Sequence, residues 1–199
     1  MEIHEPTIEV ESAQGTREIR VSTRHLMNRR IFLTGEISDE SAMQFLSQLM
    51  FLEENEDKDK PVTIYIDSPG GKINSGLMIY DAIRGSKLTI NMVCVGMAAS
   101  MAAIIFAGGQ KGRRFILPHS KVMIHEPLIS DGVGGSATTI KHISDNILET
   151  RRMVNEILAF HTRKKPEEID EATKFDNYMN AEEAIVFGIC DSITETLMI

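Results

Sequence analysis

LTINMVCV at 88–95, followed by GMAASMAA at 96–103, decides how this chain folds. The first run is continuously apolar and β-rich. A strand with one wet face alternates apolar and polar side chains, so an unbroken run reads as a strand buried on both faces, as in parallel sheets covered by helices. The second run changes to small residues, which predicts a tightly packed helix from Ala99.

Working outward, VTIYI at 62–66 reads as a short apolar strand and DSPGG at 67–71 as a sharp turn out of it. RIFLTG at 30–35 reads as another strand. Ser38 or Asp39 can cap a helix carrying Met43, Leu46, Leu49 and Met50 at helical spacing, which the stretch EENEDKDKP ends. A helix from about Asn74 to Arg84 presents Leu77, Tyr80 and Ile83. Downstream, RFIL and KVMI are two short strands divided by Pro118. This order favours an α/β fold with a largely parallel sheet.

The segment ISDGVGGSA at 129–137 is Gly-rich and reads as a mobile loop. After it, Ile140, Ile143, Ile147, Val154, Ile157, Leu158 and His161 trace one face of a helix from Ser136 to about Thr162. Lys141, Asp145, Glu149, Arg151, Arg152 and Glu156 occupy its other face. A helix this long either projects to meet another subunit or packs along the surface. Pro166 with Glu167 and Glu168 marks a further helix start. Asn180 and Glu183 form a capping-box pattern, Gly188 ends that helix, and ICDSITETLMI returns as a strand and tail. Residues 1–29 are polar and weakly patterned and read as a flexible arm.

The 199 residues suffice for one domain with a real core and are marginal for two. A net charge of −8 argues against nucleic acid as the main partner, because that role needs a basic face. Cys94 and Cys190 lie in apolar runs and read as buried free thiols. No zinc pattern is present, and His125–Glu126 lacks a second histidine four residues on. The apolar run from Met97 to Ala107 is too short to span a bilayer, and the acidic N-terminus lacks the apolar segment of a signal peptide. A cytoplasmic protein is the expectation.

Ser100 and His125 each follow a strand-like stretch and lie beside Gly-rich turns. Ligands of open α/β sheets gather at the carboxyl ends of strands, so the two can meet at one sheet edge. Serine becomes nucleophilic when a base takes its proton and a third group orients that base. Taken alone, Ser100 among Ala98, Ala99, Ala102 and Ala103 is more simply a small residue in a packed helix, and the run lacks the G-x-S-x-G elbow. His125 ends a strand and enters a Pro-containing loop; a structural histidine competes with a functional one. DSPGGKINSG at 67–76 is a strand–turn–helix glycine loop whose amides can bind an anion or a developing oxyanion, though a tight turn needing positive φ accounts for it equally. It fits neither the Walker A nor the Rossmann spacing. Asp67, Asp131, Asp170, Asp176 and Asp191 all remain candidates for the third group.

FLTGEIS, YIDSPGG, GMAASMAA, KGRRFILPHSKVMIHEP and AEEAIVFGICDSI, in that order over roughly residues 30–195, resemble the ClpP family, the proteolytic subunits of the ATP-dependent Clp protease. The resemblance implies a ClpP/crotonase-type α/β fold, with 1–29 as an N-terminal arm or axial loop region and 30–199 as a single serine peptidase domain. The projecting long helix becomes the family's handle, about 129–165, which interlocks two stacked heptameric rings around a chamber.

By the same resemblance Ser100 is the nucleophile, His125 the general base and Asp176 the orienting carboxylate. Backbone amides of Gly71 and Met101 form the oxyanion hole. An unfolded polypeptide substrate pairs as an added strand near Gly70, Lys72, Ile73, Pro127 and Leu128. No metal or organic cofactor is implied, and no nucleic acid or membrane. ATP is used by an AAA+ unfoldase of the Clp type, which docks at Tyr65, Phe115 and Leu117. Phe175 stands where relatives carry Arg, and Thr63 and Gly85 where larger groups are usual. These departures point to a divergent paralogue that works beside a partner subunit, or to a regulatory ring subunit. A crotonase-type acyl-CoA enzyme is a further competitor, opposed by the ordered Ser, His and Asp.

Overall fold

The computed structural model describes residues 5–12, 15–54, 60–129 and 132–198. His4, Asp131 and residues 55–59 of the acidic stretch lie outside the described residues. The chain opens with an antiparallel hairpin, β1 (Thr7–Ser12) and β2 (Gly15–Arg20), followed by helix α1 (Val21–Met27). Of the segment expected to be a flexible arm, residues 7–12 and 15–27 are therefore regular structure. Its strands are almost wholly exposed, so backbone pairing rather than a buried face holds them, and little apolar pattern marks them. Leu26 of α1 packs on the core, and the buried Arg29 donates from Nε to the Lys60 carbonyl at 2.9 Å.

Next come β3 (Arg30–Ile37), α2 (Asp39–Glu54), β4 (Val62–Gly71), α3 (Ile73–Gly85), β5 (Ile90–Ala99), α4 (Met101–Ala107), β6 (Arg114–Ile116) and β7 (Lys121–Ile124). The chain continues through α5 (Ala137–Thr162), α6 (Pro166–Thr173), β8 (Asn177–Met179), α7 (Ala181–Phe187) and β9 (Ser192–Ile193). Strands β3, β4, β5, β6 and β9 lie side by side in parallel. Central β5 pairs with β6 through Met92–Cys94 and with β7 through Met97–Ala99, and β8 adds antiparallel to β7.

The unbroken apolar run does form the middle strand, and Ile90, Met92, Val93 and Cys94 are fully buried. Cys94 and Cys190 are free and buried, and burial pushes both thiols up to about 12. Two expectations shift. In α2 the buried positions are Ala42, Phe45, Leu49 and Leu52, while Met43 and Met50 are more than half exposed. The sheet takes the 42–45–49–52 stripe, so the helix is rotated from the face expected. DSPGG does not leave the sheet at once: β4 continues to Gly71, which pairs with Ile37 after a register shift in β3 between Thr34 and Glu36.

Helix α5 begins where Ser136 accepts a hydrogen bond from the Thr139 amide. Its 26 residues give a length of about 39 Å. Only Val154, Asn155, Leu158 and Ala159 are buried, so the last turns anchor the helix and the rest projects, with Ile140 and Leu148 exposed.

Candidate active site

Ser100 stands between the end of β5 and the start of α4 with φ +54° and ψ −124°, a conformation costly for a side-chain-bearing residue. Its amide donates to the Met123 carbonyl of β7 at 2.8 Å, so the strand pair fixes the turn. The small neighbours make the turn possible, since Ala98, Ala99, Ala102 and Ala103 are buried around it. The elbow exists here without the G-x-S-x-G pattern.

His125 directly follows β7, and its Nε2 lies 2.8 Å from Ser100 Oγ. The ring is largely buried, at 14% exposure. On its other side Nδ1 is 3.4 Å from Asp176 Oδ1, on the connection from α6 to β8. The other described candidates for the third group are engaged elsewhere. Asp67 accepts from the Met97 amide, Asp170 from Asn155, and Asp191 pairs with Arg114 and Lys111. The hydrogen bonds of Arg114 and Lys111 hold the Asp191 carboxyl well below the usual range against its burial. Asp176 is therefore the described aspartate that the fold brings to His125.

The glycine loop lies against the serine turn. A Cβ on Gly70 would fall 2.7 Å from both the Ala99 carbonyl oxygen and Ser100 Cβ, and φ is +91°. A Cβ on Gly71 would fall 2.3 Å from the Ile37 carbonyl oxygen. Ser68 Oγ donates to the Gly35 carbonyl and accepts from the Gly70 amide, tying the loop to β3. Met101 opens α4, where the first amides of a helix have no carbonyl partner within it.

A cleft of about 870 Å³ runs over this edge of the sheet. Ser100, His125, Gly71, Met101, Lys72, Ile73, Pro127 and Leu128 all line it, and Gly70 is buried behind it. At its rim Lys72 pairs with Asp39 at 2.7 Å; their hydrogen bond raises the lysine and lowers the aspartate from their ordinary values. The cleft also holds residues that sequence reasoning missed. Asn146, Thr150 and Val154 face it from α5, and their four-residue spacing was the available signal. Tyr65, Phe115 and Leu117 lie away from this cleft, and Tyr65 is only 5% exposed. Among the described residues no cluster suited to a metal ion occurs, and no helix is long and apolar enough to cross a membrane.

The family model for Clp protease matches residues 13–197, nearly the whole length. The chain belongs to the Clp protease family, and its mixed α/β architecture around a largely parallel sheet is the ClpP fold. It is a ClpP-type peptidase, a hydrolase of peptide bonds. Members of this family generally form stacked rings with Clp ATPases.

Proposed function

We propose that this chain is the proteolytic subunit of an ATP-dependent Clp protease, a cytoplasmic serine endopeptidase that cleaves unfolded polypeptides inside a chamber of two stacked heptameric rings. Residues 30–199 supply the peptidase domain and 1–29 the axial region. The observation that carries the reading is the 2.8 Å contact between Ser100 Oγ and His125 Nε2 at a strained strand-to-helix turn.

The extended substrate lies along the cleft beside Gly70–Ile73 and Pro127–Leu128. Ser100 Oγ attacks the scissile carbonyl carbon as its proton passes to His125 Nε2. Asp176 orients the ring through Nδ1 and stabilises the imidazolium. The amides of Gly71 and Met101 receive the oxyanion. His125 then gives its proton to the leaving amine, the C–N bond breaks, and water attacks the acyl-enzyme with His125 again as base. No step in this sequence calls on a metal or organic cofactor.

A second reading, a subunit that needs a partner to become active, is favoured by one feature. Asp176 is 58% exposed at 3.4 Å from His125, beside the 76% exposed Phe175. Intact mass after treatment with a serine-reactive phosphonate separates the two. An adduct on the parent chain and none on Ser100→Ala is expected. No adduct on the isolated chain, with one appearing when a paralogous subunit is added, would move the conclusion to partner dependence.

A further inference from the structure

Phe32, Tyr65, Val93 and Phe115 stand in one register row across β3, β4, β5 and β6, and Ser192 of β9 completes it. Their side chains point to the face opposite Ile31, Ile64, Met92 and Ile116, which belong to the main core cluster. Phe32 stacks on Tyr65 with ring centroids 5.1 Å apart and remains 46% exposed. Tyr65 and Val93 are 5% and 0% exposed, although neither belongs to that cluster.

The segment after β9 crosses this row. The Thr194 amide continues the pairing of β9 with β6 by donating to the Ile116 carbonyl; beyond it, Tyr65 Oη on β4 donates to the Leu197 carbonyl at 2.5 Å, and Arg30 Nη2 on β3 meets Met198 Sδ at 3.2 Å. Three strand spacings separate β9 from β4, about 14 Å, and the long Tyr65 side chain covers part of that distance. The segment bends at Glu195 and Leu197 on its way and lies over the row without being stretched.

Its hold is light. Leu197 and Met198 stay 50% and 66% exposed, and further hydrogen bonds of the segment are local ones among Thr194, Thr196 and Met198. Arg30 uses its guanidinium on a thioether, a weak acceptor that a carbonyl or carboxylate surpasses.

We propose that residues 194–198 are a displaceable strap over a peptide-docking row, and that the row opens to a partner loop of the same chemistry. That loop is an apolar pair whose backbone carbonyl takes the Tyr65 hydroxyl and whose next acceptor takes Arg30. This rests on the reading of Tyr65 and Phe115 as partner-docking residues and adds the control of that surface by the chain itself.

The probe is a fluorescein-labelled peptide of sequence SITETLMI, followed by anisotropy on the full chain. It is compared with the double variant Leu197→Ser, Met198→Ser, whose altered side chains are half exposed or more. A strap closed about nine-tenths of the time lowers apparent affinity by the open fraction, so the variant binds about tenfold tighter than the parent. Adding Phe32→Ala to the variant removes that binding, with melting curves confirming that all three chains fold. Equal affinity for parent and variant overturns the strap. Absence of binding to both, or binding indifferent to Phe32→Ala, overturns the docking row. Phosphonate labelling at Ser100, run alongside, reads the peptidase proposal independently: retained labelling with failed peptide binding sinks the docking row and its strap and leaves the peptidase reading standing.

Discussion

Ser100 and His125 are carried by two paired strands and lie 2.8 Å apart, whereas Asp176 sits on a connection, with its side chain 58% exposed and 3.4 Å from the ring. The first pair is held by backbone. The Ser100 amide bonds to Met123 on the neighbouring strand, and His125 follows that strand by one residue. The carboxylate is held by a longer route through α6. Water competes for the exposed group and screens its charge on His125, so the two halves of the site should differ in how much activity depends on them.

The largest test removes the proposed base. His125→Gln is expected to lower peptide turnover by roughly 10⁴-fold with folding unchanged. Asp176→Asn is expected to cost less, about 10²-fold, because a half-exposed carboxylate contributes less than a buried one. Steady-state kinetics on one short peptide compare them directly. Equal losses would break the distinction and show that assembly buries Asp176 as deeply as His125.

Those two halves were also unequally legible. Ser100 and His125 carry local signals: a strand end, small or glycine neighbours and a following turn. Asp176 carries none, and its residue type occurs at five plausible places. Only the folded chain shows Asp67, Asp170 and Asp191 committed to other partners. The place of Asn146, Thr150 and Val154 at the cleft is hidden for a related reason, although Val154 is legible as part of an apolar helix face. Helical periodicity reports that a face exists, and tertiary packing decides what it meets. The parallel order was readable from the apolar runs, while the hairpin of residues 7–20 was not, because pairing of exposed backbone leaves little trace in side-chain pattern.

A smaller test sharpens the fixed half. Gly70→Ala puts a methyl 2.7 Å from Ser100 Cβ at a φ of +91°. The serine turn must yield, and displacement of a nucleophile by a fraction of an ångström is expected to lower kcat on the order of tenfold to a hundredfold. Phosphonate labelling should slow in parallel. Unchanged labelling would mean that the glycine loop gives way and the serine turn does not.

The looser half has its own foundation. The buried Asn155 of α5 donates to Asp170 at 2.6 Å and lies 3.4 Å from the buried hydroxyl of Thr173, whose carbonyl accepts from the Glu126 amide at 2.6 Å. This chain of contacts joins the segment after His125 to the segment before Asp176. Asn155→Ala leaves its partners unsatisfied and is expected to cost about 2 kcal/mol of stability. Denaturant unfolding checks it. If the loop carrying Asp176 depends on this anchor, kcat should fall further for Asn155→Ala than for Asn155→Ala combined with Asp176→Asn, relative to their own parents.

The smallest effect concerns the anchored end of α5, where His161 Nε2 lies 2.8 Å from the Tyr80 hydroxyl. Burial, with the nearby positive charges of Arg84 and Arg114, pushes the His161 imidazole down to about 4. In the unfolded chain it titrates near 6.5. The unfolded state therefore binds the extra proton first, and stability falls as pH drops from about 6.5 toward 4. His161→Gln keeps an acceptor for Tyr80 and removes the titration. Its melting temperature is expected to decline less than the parent's between pH 7 and pH 4.5, while labelling at Ser100 at pH 7 stays the same. A matching decline in both chains would assign the acid sensitivity to groups outside this helix. The backbone-held half of the site would then stand on a foundation indifferent to His161.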